Sequence, residues 1–201
     1  MKNKVERSKE AKLLHNKDFI LLFLGGFVSQ IGSNIHYVAV TWFVLDTTGS
    51  GTATGIILFL TTLPGVLISP FSGVIADRVN RKFLIVSMDI VRGVIVLWLS
   101  WAVYTEIAGF IHLAVATVLV AVSSAFFNPA VSASRPSIVA DKNLQQANSF
   151  NQFSMKFSAI IGAALGGLLI AIFNISGVFM INGISYLFSA FSEMFIDIPQ
   201  V

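Results

Sequence analysis

Asp77, Arg78, Arg81 and Lys82 put one carboxylate and three cations into six consecutive residues. They belong to the stretch GVIADRVNRK, Gly73 to Lys82, which lies between two long apolar segments. Groups of this kind form and break ion pairs and charge-assisted hydrogen bonds. A second charged set, Asp89 and Arg92, has i, i+3 spacing, so on a helix the two face each other. A third set is polar but uncharged. Gln30, Ser33, Asn34, Tyr37 and Thr41 fall on one stripe about 100° wide when successive residues turn by about 100°. Ser124, Asn128 and Ser132 form a shorter row of the same kind. Such stripes avoid lipid and face a cavity or a partner helix. Their chemistry is hydrogen bonding rather than bond making.

Catalytic and metal chemistry find little support. With no Cys there is no disulfide, thiolate nucleophile or Cys-based metal site. His15, His36 and His112 are far apart and lack metal-ligand spacing. His36 points away from the polar stripe, which favours a packed His over a proton relay. HExxH, GxSxG and Walker A patterns do not occur. We therefore expect no metal, no cofactor and no enzyme.

The elements that carry these residues are set by composition. The chain is 55% hydrophobic and 11% charged, with a mean hydropathy of +0.81, whereas soluble domains carry about 25% charged residues. Lipid is the solvent such a surface requires. The sequence pI of about 9.3 does not signal nucleic acid, because no basic face with interleaved aromatics occurs. A helix needs about 20 apolar residues to cross the hydrocarbon core. Residues 19–45, 47–76, 107–134 and 157–192 contain no Asp, Glu, Lys or Arg. The last run is too long for one crossing, and Asn174-Ile-Ser-Gly177 is a turn signal that divides it.

The pattern predicts an all-α, polytopic membrane protein with six transmembrane helices over about 19–45, 52–76, 83–103, 110–133, 148–172 and 177–197. A basic tail, 1–18, precedes them, and a short end, 198–201, follows. Six of the 13 Lys and Arg lie in the tail, three in the 77–82 turn and two in a loop expected at 134–147. Arg92 and Lys156 lie inside spans. The opposite loops carry none, which places both termini in the cytoplasm of a cell (inner or plasma) membrane.

The 77–82 turn then joins the second and third spans on the cytoplasmic side. Arg78, Arg81 and Lys82 anchor it there. Asp77, with the small residues Ser72, Gly73 and Ala76 before it, suits a latch onto a neighbouring helix as well as anchoring. GVIADRVNRK resembles the motif that the major facilitator superfamily carries between its second and third helices. Gly73, Asp77, Arg78, Arg81 and Lys82 match that motif. Asn80 stands where the family pattern has Gly, and Asn is expected there because it tolerates a positive φ. The stretch AFFNPAVSASRPSIVADKNLQQANS, Ala125 to Ser149, is similar to bacterial exporters of the macrolide-efflux and enterobactin-exporter kind. IIGAALGGLLI, from Ile160, resembles the small-residue motif of antiporters, with Ala163 where Pro is common.

The resemblance covers one six-helix half. It implies the N-terminal half of a secondary transporter that exports a small amphipathic drug, macrolide or siderophore, driven by protons. The expected partners are the bilayer, that small molecule, protons, and a C-terminal half or a second chain. A lone half is expected to be inactive, and the chain reads as truncated. Gln30, Asn34, Tyr37, Thr41, Ser124, Asn128 and Lys156 are expected near the transport path, although Lys156 equally suits snorkelling to the interface. Pro129 bends the fourth span or meets substrate. Gly162 and Gly166 form a GxxxG packing pair. Asp89 and Arg92 read as a neutralised structural pair or a link to the gate. The alternative is a non-transporting interaction protein assembled through its helix contacts.

Overall fold

The computed structural model describes residues 13–198. Most of the basic tail and nearly all of the end at 198–201 lie outside the described residues. So does the side chain of Asp77.

Every long element among the described residues is helical. Helix α1 spans Lys17–Thr48, α2 Gly51–Arg78, α3 Arg81–Tyr104 and α4 Phe110–Ile138. A final helical segment runs Asp141–Glu193. These five continuous segments are each long and apolar enough to cross a bilayer, where the sequence predicts six spans. The difference lies at Asn174. Its backbone (φ 60°, ψ 175°) is not helical, so the last segment is two helices that meet at a kink.

Contacts on either side of Asn174 show that the chain reverses there. Before it, Phe150 packs on Phe23, Phe157 on Phe27 and Gly162 on Asn34, so residues 141–173 (α5) run parallel to α1. After it, Phe179 meets His36, Tyr186 bonds to Ser33, and Ser192 bonds to the Leu21 carbonyl. Residues 175–193 (α6) therefore run antiparallel to α1. The turn signal read at Asn174–Gly177 thus becomes a single positive-φ residue whose ψ of 175° lies outside the left-handed helical region.

Caps fix the other ends. The Asn16 side chain accepts from the Phe19 amide at 3.1 Å and donates to the Ile138 carbonyl at 2.9 Å, which ties the start of α1 to the end of α4. Gly49, at φ 61°, closes α1 in the left-handed region, and Ser50 caps α2 by accepting from the Ala53 amide.

Asn80 corrects the expectation of a positive φ. Its φ is −55°, and its side chain caps α3 by accepting from the Phe83 amide at 3.0 Å. Asn occupies this position because it caps, while Gly is tolerated there because N-caps accept it. Asn80→Ala is expected to lower stability by about 1 kcal/mol, and Asn80→Gly by only a few tenths. Thermal unfolding in detergent would show the difference.

The loop expected at 134–147 is also corrected. Helix α4 continues to Ile138 and α5 begins at Asp141, leaving Val139 and Ala140 between them. Polar residues alone do not end a helix. Likewise α6 ends at Glu193 rather than near 197, and the chain after it turns back so that the Asp197 amide donates to Asp18.

The bundle is held by close backbone approach as much as by apolar side chains. A Cβ on Gly25 would meet Ser189 and Ser192, and one on Gly32 would meet Ser185 and Asn182. Gly93 and Gly183 bring α3 against α6, each within 3.2 Å of the other's carbonyl as measured from an added Cβ. The main apolar core gathers Ile35, Ala39, Val40, Val96, Leu99, Leu113, Phe179 and their neighbours.

Candidate functional site: two cavities beside a buried charge cluster

Two cavities open along the faces of α1 and α4. The first, about 680 Å³, is walled by α1, α2 and α4, with Tyr186 of α6 at its edge. Tyr37, Ser124, Asn128 and Pro129 border it. So does His36, whose ring lies 4.6 Å from that of Phe179. His36 is thus packed, as expected, and it also reaches the cavity because α2 and α4 extend that space around α1. Thr61, Thr62, Ser69 and Ser72 add hydroxyls from α2 that the sequence reading did not assign.

The second cavity, about 520 Å³, lies between α1, α4, α5 and α6. Gln30, Ser132, Asn151 and Gln152 contribute polar groups, and Phe19, Phe23, Phe27 and Phe127 contribute rings. Ser33, Ser124, Asn128 and Tyr186 border both cavities. Both volumes fall in the range of about 300–1,000 Å³ typical of small-molecule sites.

The seven expected path residues divide. Gln30, Tyr37, Ser124 and Asn128 border a cavity. Asn34, Thr41 and Lys156 border neither, which corrects that expectation. The Asn34 amide donates to the Gln30 carbonyl at 2.8 Å, and its Cβ and backbone pack where Gly162 has no side chain. The Thr41 hydroxyl donates to the Tyr37 carbonyl at 2.9 Å. Lys156 is exposed. A Cβ added at Gly162 would meet Asn34, and one at Gly166 would meet Val38, both on α1.

Arg92 and Asp89 are hydrogen-bonded and buried. The guanidinium lies between two rings, 4.0 Å from the centre of Phe127 and 4.6 Å from that of Tyr186. A third ionisable group joins them, Glu193, which is 1% exposed and accepts from the Ser189 hydroxyl at 3.2 Å. The sequence reading missed Glu193 because it stands at the end of a charge-free run. Its spacing from Tyr186 and Ser189, i−7 and i−4, was the available signal.

The 73–82 turn joins α2 to α3. Arg81 donates from Nη1 to the Ala133 carbonyl at 3.0 Å and lies 3.4 Å from the Ser137 hydroxyl, near the C-terminal end of α4 where a cation is favoured. Arg78 is exposed, Lys82 is half-buried, and a Cβ on Gly73 would meet nothing within 4 Å.

Apolar helices of spanning length, wrapped around inter-helix cavities of this size, define a multi-pass membrane protein of the transporter class. The Major Facilitator Superfamily model matches residues 22–199, and the chain belongs to that family. Macrolide efflux protein A of Streptococcus pyogenes is 24% identical over 188 residues, covering 91% of this chain and 45% of that protein. The staphyloferrin A transporter of Staphylococcus aureus (strain NCTC 8325 / PS 47) is 30% identical over 169 residues, covering 83% and 40%. The uncharacterized MFS-type transporter YfiS of Bacillus subtilis (strain 168) is 30% identical over 191 residues, covering 90% and 43%. The chain thus spans less than half the length of these relatives. No solved structure matches it significantly.

Proposed function

We propose that the chain is the N-terminal six-helix half of a secondary transporter that exports a small amphipathic compound by alternating access, with protons as the coupling ion. The observation that carries this reading is the pair of cavities on the α1 and α4 faces, joined at Ser33, Ser124, Asn128 and Tyr186. They sit in a bundle whose last helical segment is broken at Asn174, which supports a count of six crossings. Family transporters place substrate between two such halves. The efflux and siderophore names of the relatives support the substrate class. Both termini are assigned to the cytoplasm.

In this reading the Asp77–Lys82 turn is the cytoplasmic gate. Arg81 is committed to α4 within the half, and the open face at Gly73 is free to meet the other half. Co-expression with a matching C-terminal half should restore efflux that neither half supports alone. Efflux by the 201-residue chain alone in proteoliposomes, or none after co-expression, overturns the proposal. In the restored pair, Asp77→Asn should reduce efflux about tenfold, the effect of losing one charge-assisted hydrogen bond. Unchanged efflux removes the latch.

A further inference from the structure

Asp89 is fully buried on α3, and Glu193 is almost fully buried on α6. Gly93 meets Leu187 and Leu97 meets Gly183, so α3 and α6 run antiparallel and Asp89 lies level with the last turn of α6, where Glu193 stands. Arg92 bonds to Asp89 and borders the same cavity as Glu193. Asp89 Oδ2 and Glu193 Oε2 are each buried without a hydrogen-bond donor. A carboxylate accepts and cannot donate, so two ionised carboxylates cannot bond to each other. Together with Arg92 they would also leave one uncompensated negative charge inside a lipid-facing bundle. A single proton between them supplies the missing donor and brings the cluster to neutrality. Paired carboxylates sharing a site hold a proton in this way.

We propose that Asp89 and Glu193 form a proton-binding site in which the two carboxyls share one proton, exchanged with water through the second cavity. Glu193 and Arg92 border that cavity, which gives the proton a route that does not cross the apolar core. The groups that face the pair fit this role. Ser189 donates to Glu193 from the same helix. Tyr186 and Phe127 hold the guanidinium in place from α6 and α4. Among the described residues, Arg135 on α4 is the only other cation bordering the cavity, and α1 and α5 present only uncharged side chains to it. The helices that the site links are those brought together at Gly93 and Gly183, so gain or loss of the proton acts directly on the α3–α6 contact. The inference deepens the transport reading by naming where this half binds its coupling proton.

The test does not depend on transport. The chain is reconstituted in phospholipid vesicles at neutral pH, and the carboxylic-acid C=O stretch is read by infrared spectroscopy in H2O and D2O. Solvated carboxyls are ionised there and silent in that band. The expected result is a deuterium-sensitive band of about one carboxylic acid per chain, lost in Glu193→Gln and equally in Asp89→Asn. Either variant leaves one acid facing one guanidinium, with no need of a proton. Absence of the band in the unsubstituted chain overturns the inference, as does a band that survives either substitution. Because the readout is spectroscopic, its failure is distinct from failure of the efflux assay.

Discussion

Replacing Arg92 by Met should destabilise the bundle by about 3 kcal/mol or more, the largest effect expected of any single side chain here. Asp89 is 0% exposed and Arg92 only 7%. Removing the guanidinium leaves two carboxyls facing each other with no cation, and it empties the space between Phe127 and Tyr186. Met keeps the apolar stem and loses the guanidinium, so the deficit combines the lost charge with the lost ring contacts. The double variant Asp89→Asn/Arg92→Met removes a carboxylate as well and should recover part of the loss. Unfolding by denaturant in detergent micelles measures both. A single variant as stable as the parent would mean that the pair is not buried as described.

The second large effect is at Gly162. A Cβ there would press on Asn34, with the Asn34 carbonyl carbon at 2.9 Å and the Ile35 amide nitrogen at 3.1 Å. Those are backbone atoms, and no rotamer change moves them. Gly162→Val should therefore force α5 from α1 and cost about 1–3 kcal/mol, at the upper end for a branched side chain. Gly167→Ala is the control. It lies five residues on, where an added Cβ meets nothing within 4 Å, and should be neutral or slightly stabilising through helix propensity. Equal effects at the two positions would remove the α1–α5 contact from the account.

The helices were legible in the sequence because charge and length decide them. Residues 19–45, 47–76 and 107–134 carry no charge; the first lies within α1, the second runs from the last two residues of α1 through a short turn into α2, and the third lies in α4 apart from the three-residue loop before it. The break at Asn174 was legible because Asn-Ile-Ser-Gly is turn chemistry. The interfaces were less so. Gly25, Ser29 and Gly32 on α1 repeat the 4-then-3 spacing of Ser185, Ser189 and Ser192 on α6. Both rows mark surfaces of close approach, but only contact across the bundle shows that they meet. Asn34 and Thr41 were misplaced for a related reason. A polar stripe states that lipid is avoided, and a glycine opposite or a carbonyl one turn back satisfies that as well as a cavity does. Glu193 and Asn80 escaped because their roles depend on geometry, a partner helix in one case and the sign of φ in the other.

The chain has no native cysteine, so single cysteines at Ser50, Val79 and Phe173 each report only themselves to a membrane-impermeant maleimide. The account rests on apolar rods that cross the bilayer alternately, with the 77–82 turn inside. It predicts that positions 50 and 173 label in intact cells and that position 79 labels only after permeabilisation. Labelling of 50 and 79 from the same side, or of 173 together with 79, would contradict it.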